Sequence, residues 1–233
     1  MSQSDAAAPP SSKRPPAPEP GAAAKSSRLP GIAGVACVAA IGVWFLLMGR
    51  FGAGIYALMG PFAAGVALLV AAAFPARLVE WLRPTRRGVA VGLLVGVGMT
   101  LATYPLYALA CLIDPGLRVD VAVLYGAARE SRLSEALPWV LAIIVAEELL
   151  WRGALLELLT DRVSPYAGMA LSIGTYCFAQ AGTGSLIVTL LALVCGTLWT
   201  LQRHLTGSLL SPLIAHLIWT PTVILLLPVN APP

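Results

Sequence analysis

Residues 137–159 read LPWVLAIIVAEELLWRGALLELL, and the fold class turns on how that run is understood. Its apolar length suits a helix that crosses a membrane. Yet Glu147, Glu148 and Arg152 stand in the middle of it. Ionisable side chains inside a span are costly, and they face the protein interior or a water-filled cavity. A bundle of several helices gives them such an interior.

The rest of the chain agrees. Of 233 residues, 58% are hydrophobic and 11% charged, with mean hydropathy +0.82. A soluble domain has about half apolar and about a quarter charged residues. The expected class is therefore all-α: a polytopic membrane helical bundle with about seven transmembrane helices. They are expected at about 31–49, 52–74, 88–111, 137–158, 165–181, 185–202 and 208–228. At about 1.5 Å per residue, each is long enough for roughly 30 Å of hydrocarbon. Pro61 predicts a kink in the second. Gly88, Gly92 and Gly96 repeat every four residues in the third, a small-residue face that lets another helix come close.

Residues 1–29 are rich in Ala, Pro and Ser, with Lys13, Arg14, Lys25 and Arg28. Such a composition predicts a disordered tail and does not fit a signal peptide. Residues 30–230 form the expected membrane domain. The connection at 112–136 mixes charges with Val119, Val121 and Val123, so part of it is expected to rest on the membrane surface. The pI of about 9.1 fits arginines at membrane borders and does not point to nucleic acid. With the tail in the cytoplasm, Arg77, Arg83, Arg86, Arg87, Arg162 and Arg203 fall inside, and Arg50, Arg118, Arg129 and Arg132 outside. That asymmetry predicts an inside N-terminus. Cys37, Cys111, Cys177 and Cys195 form no C-x-x-C pair and are expected to be buried thiols, Cys111 being the one near a helix end.

Glu148 and Arg152 are four apart on one helix face, a favourable order for an ion pair. Glu147 is rotated by about 100° from Glu148 and has no local partner. A second carboxylate with no pairing role suggests chemistry. In a low-dielectric cavity, desolvation and a nearby arginine act on a carboxylate in opposite directions, a balance suited to a general base that activates water.

The stretch Glu147-Glu148-Leu149-Leu150-Trp151-Arg152-Gly153 resembles the EExxxR motif of the CPBP intramembrane proteases, also called Abi, which include CAAX prenyl endopeptidases and bacteriocin-processing enzymes. The resemblance covers roughly residues 90–228. The family's second motif, an aromatic followed four residues later by His, falls on Tyr176-Cys177-Phe178-Ala179-Gln180-Ala181-Gly182. From Tyr176 the His position holds Gln180, and from Phe178 it holds Gly182; Gln180 is preferred as the polar one. The third motif, His followed four residues later by Asn or Asp, falls on His216 and Thr220. Both share a helix face. His204, beside Arg203 at a helix end, is expected to be interfacial.

The resemblance implies hydrolysis of a peptide bond in a membrane-anchored protein within the lipid bilayer. Glu147 would be the general base and Gln180 would position the water. His216 and Thr220 would stabilise the oxyanion, with Glu148 and Arg152 supporting the site. Gln cannot accept and return a proton as imidazole does, and Thr has a shorter reach than Asn. The Ala-, Pro- and Arg-rich composition suits a high-GC bacterium, whose CPBP members include myxosortase-like proteases that process C-terminal anchors. A zinc site needs about three protein ligands, and only His216 and the two glutamates offer themselves, so no metal or other cofactor is expected. The competing expectations are a catalytically inactive family member acting as a scaffold or immunity protein, and a transporter or lipid-modifying enzyme.

Overall fold

Apolar runs broken only by short Gly-, Pro- and Ser-containing turns give helices and, among the described residues, no strand. The computed structural model describes residues 20–50, 52, 54–129 and 131–229. In order the helices are α1 (Pro20–Met48), α2 (Ile55–Ala73), α3 (Pro75–Trp81), α4 (Arg86–Ile113), α5 (Leu117–Arg129) and α6 (Leu133–Glu147). A π-helical segment, Glu148–Leu155, then leads into α7 (Leu156–Thr160). Next come α8 (Pro165–Ala181), α9 (Leu186–Thr206) and α10 (Leu210–Pro221), the last continued by a second π segment, Thr222–Leu226. The boundaries have local causes. Thr85, Ser164 and Ser185 cap α4, α8 and α9 by accepting from the backbone N–H three residues on. Gly207, at φ 67°, ends α9 in the left-handed conformation that glycine adopts without strain.

Seven helical rods thus fall where spans are expected. Among the described residues, four are long and apolar enough to cross a membrane by length and composition: Gly31–Met48, Ile55–Ala73, Arg86–Ile113 and Leu186–Thr206. The other three differ for physical reasons. The fourth expected span is divided by its π segment, and it carries four charges, Glu147, Glu148, Arg152 and Glu157. The fifth, α8, has 17 residues, and the seventh is a shorter apolar stretch, Leu210–Leu226. Pro61 lies inside α2, which runs on through it as one helix. Of the expected tail, residues 1–19 lie outside the described residues.

The burial pattern is that of a bundle whose outside is apolar. Leu68, Leu94, Leu112 and Leu186 are exposed, while every residue from Ala146 to Leu156 is buried. A helix hidden all round needs neighbours on all sides; α1, α2, α8 and α9 pack on the π segment, and α10 packs on α6 just before it. The small-residue face of α4 meets α10. A Cβ on Gly92 would lie 2.7 Å from the Ser211 carbonyl oxygen, and one on Gly96 would lie 2.9 Å from Ala215 Cα. Those contacts set the depth of α10, which carries His216.

One end of the bundle gathers the loops that carry arginine. There Arg77 donates to Glu157 at 2.7 Å, Trp81 Nε1 donates to the same carboxylate at 2.9 Å, and Leu209 N–H donates to the Trp81 carbonyl. Arg203 donates to the Arg152 carbonyl at 3.3 Å and to that of Gly207. At the other end lie Arg50 and α5. Within α5, Val121 is buried, Val119 and Val123 are exposed, and the Tyr125 hydroxyl donates to the Val223 carbonyl at 2.6 Å. Cys37, Cys111 and Cys195 are buried, and Cys177 is partly so. Cys111, although near a helix end, is buried like Cys37 and Cys195.

Candidate active site

Three helices bring the charged residues together. Glu147 ends α6, and Glu148 and Arg152 follow in the π segment. An i→i+5 segment is an uncommon geometry that recurs at functional sites. Tyr176 and Gln180 stand one turn apart on α8, and His216 lies in α10.

Both oxygens of the Glu147 carboxylate are held from α8. Gln180 Nε2 donates to Oε1 at 2.7 Å, and the Tyr176 hydroxyl donates to Oε2 at 2.9 Å. The His216 ring faces both glutamates. Its Nδ1 is 2.9 Å from Glu148 Oε1, and its Nε2 is 3.7 Å from Glu147 Oε2. A carboxylate accepts, so Nδ1 carries the hydrogen on the Glu148 side. The Nε2 separation, 3.7 Å, is too long for a direct hydrogen bond.

Arg152 approaches Glu148 Oε1 at 3.4 Å, the ion pair that the four-residue spacing predicts. Its Nε and Nη2, like Glu148 Oε2, have no hydrogen-bond partner among the described residues. Aromatic faces take up part of that charge: the guanidinium carbon lies 4.4 Å from the Tyr176 ring centre and 5.3 Å from that of Trp199. Trp199 also stacks on His216, with ring centres 3.7 Å apart at 20°. Glu147, Glu148, Arg152, Gln180 and His216 are all at most 7% exposed.

Of the residues chosen from sequence, Glu147, Glu148, Arg152, Gln180 and His216 therefore converge. Thr220 is one turn beyond His216, and its buried hydroxyl has no hydrogen-bond partner among the described residues, so it makes no hydrogen bond to the cluster. Gly182, the alternative to Gln180, belongs to a different contact: a Cβ there would run into the Phe45 carbonyl of α1. His204 is exposed at the end of α9, 6.1 Å from the Tyr166 ring, as an interfacial residue would be. Sequence reasoning missed two residues. Tyr176 was available to it as the aromatic one turn before Gln180. Trp199 has no signal in the sequence, because its place depends on α9 crossing α10.

Among the described residues, no group of three His, Cys, Asp or Glu side chains is arranged to hold a metal ion. An apolar groove of about 560 Å³ lies between α1 and α7, lined in part by Gly34, Val38, Leu155, Leu158 and Arg162. None of the clustered residues borders it.

Residues 129–221 match the family model for type II CAAX prenyl endopeptidase Rce1-like proteins. The match runs from the last residue of α5 to the last residue of α10 and contains every residue of the cluster. It bears out the resemblance to the CPBP family and points to a peptidase. No curated protein and no solved structure matches the chain.

Proposed function

We propose that this multi-pass membrane protein, whose residues 129–221 match the Rce1-like family model, is an intramembrane endopeptidase in which Glu147 activates water. The observation that carries the proposal is the meeting of Glu147 with Gln180 at 2.7 Å and with His216 at 3.7 Å, inside the matched region.

The proposed course uses the atoms in place. A water held near Glu147 Oε2 and His216 Nε2 gives a proton to Glu147. Its oxygen bonds to the scissile carbonyl carbon, and the carbonyl π pair moves to oxygen. That oxyanion accepts hydrogen bonds from His216 Nε2–H and from the unpartnered Thr220 hydroxyl. Nδ1–H stays on Glu148, so the imidazolium is the form of His216 that donates. The C–N bond then breaks, and the proton on Glu147 passes to the leaving amine. Gln180 holds the base and exchanges no proton.

The substrate is a membrane-anchored protein or peptide cut near a membrane face, with C-terminal anchor or sorting-signal processing as the narrower assignment. The gathering of Arg77, Arg83, Arg86, Arg87, Arg162 and Arg203 at one end supports a cytoplasmic N-terminus, in a bacterial inner membrane. Gln180 and Thr220 in the places of the family's His and Asn favour one other reading, an inactive membrane scaffold or immunity protein.

Cleavage decides between them. The chain is expressed with a membrane-anchored reporter ending in a prenylated CAAX sequence, and with a second carrying a Cys-containing C-terminal anchor. Glu147→Gln and His216→Ala are expected to abolish a size change that the wild type produces. Equal processing by all three proteins refutes the Glu147 mechanism, and no processing of either reporter favours the scaffold.

A further inference from the structure

Tyr176 does more than its place as the second-motif aromatic calls for. Ring packing alone explains its contacts with Trp151, 5.2 Å away edge to face, and with Arg152. It does not explain the hydroxyl. That group is buried, and its partner is a carboxylate oxygen at 2.9 Å. It meets Oε2, the same oxygen that faces His216 Nε2, while Gln180 takes Oε1. One hydrogen bond leaves a carboxylate free to swing about its last torsion. Two, one on each oxygen and both from the same helix face, fix its plane. A glutamine at position 180 supplies only one of them and carries no charge.

We infer that Tyr176 is a positioning residue for Glu147, its hydroxyl fixing Oε2 toward the His216 side and supplying the second anchor that a chain with Gln180 needs. The inference rests on Glu147 being the base. Tyr176 keeps its proton throughout: it donates to Oε2 before the water proton moves and after that proton has gone to the leaving amine. A Cβ on Gly196 would lie 3.0 Å from Tyr176 Cδ1, so glycine there lets α9 sit close against the ring without displacing it.

The test uses the full chain in liposomes. Infrared spectra identify the carboxyl band of Glu147 as the one lost in Glu147→Gln. Tyr176→Phe keeps the ring between Trp151, Arg152 and Gly196, so it is expected to fold with the wild-type helix content. Its Glu147 band is expected to shift, reporting the lost hydrogen bond. On the prenylated CAAX reporter, Tyr176→Phe is expected to lower kcat about 100-fold, as a misplaced catalytic group does, with KM within about two-fold. In a Gln180→His background the same change is expected to cost less than about ten-fold, because imidazole supplies a firmer anchor. A purely structural tyrosine would cost the same in both. An unmoved band, or equal losses in the two backgrounds, overturns the inference. If Glu147→Gln cleaves as fast as the wild type, the protease mechanism falls, and the band shift still decides whether Tyr176 holds Glu147.

Discussion

Glu147 and Glu148 are neighbours in sequence with different surroundings. Glu148 is wholly buried between His216 and Arg152, so its loss leaves a buried guanidinium without its carboxylate. Breaking a buried pair in this way costs about 3–5 kcal/mol. Glu148→Leu is therefore expected to lower stability by that amount in reversible unfolding in detergent. Glu147→Gln keeps the shape but trades the charge and one acceptor oxygen for a donor amide, to which the Tyr176 hydroxyl can turn as acceptor, so it is expected to stay within about 1.5 kcal/mol of wild type while losing cleavage. Gly182→Ala gives a further contrast. Its new Cβ would press on the backbone of α1 and not on Glu147. It is expected to destabilise by about 1–3 kcal/mol, with the kcat of the protein that remains folded unchanged. A kcat defect in folded Gly182→Ala would count against Gln180 as the second-motif position.

At the scale of elements, the site depends on how closely α10 sits against α4 and on the π segment that buries Glu148 and Arg152 together. Gly96 is the sensitive point, because a Cβ there would lie 2.9 Å from Ala215 Cα, next to His216. Gly96→Ala is expected to cost about 1–3 kcal/mol by overpacking. It should also lower kcat, since moving α10 moves the His216 ring. Gly98→Ala, on the same helix with open space at its Cβ, is the control. Equal kcat values for the two variants would show that α10 depth does not matter. The periodic glycines made this interface legible in sequence. The π geometry was not legible: nothing in the run from Glu148 to Leu155 distinguishes i→i+5 from i→i+4 bonding until the neighbours' packing selects one.

At the scale of the whole molecule, the two ends of the bundle differ in charge, and that difference predicts sidedness. Single cysteines placed in a cysteine-free background at Arg83 and Arg162 are expected to react with a membrane-impermeant thiol reagent only after the membrane is opened. A cysteine at Arg50 is expected to react from outside. The reverse pattern would invert the orientation and put the N-terminus outside.

The sequence alone determined the class of the molecule and the identity of most of its polar centre. Long apolar runs leave backbone groups only one way to be satisfied in lipid, which is helix. Charges inside such a run stand out because they are costly there. The tertiary structure decided what depends on distances between segments far apart in the chain. It set Gln180, and not Gly182, against Glu147. It brought in the Tyr176 hydroxyl and stacked Trp199 on His216. It also turned His216 Nδ1 to Glu148, so that one glutamate orients the histidine while the other keeps a gap of 3.7 Å to its second nitrogen. Local spacing tells which residues share a helix face. Which faces meet is settled by the packing of glycines and aromatics between helices.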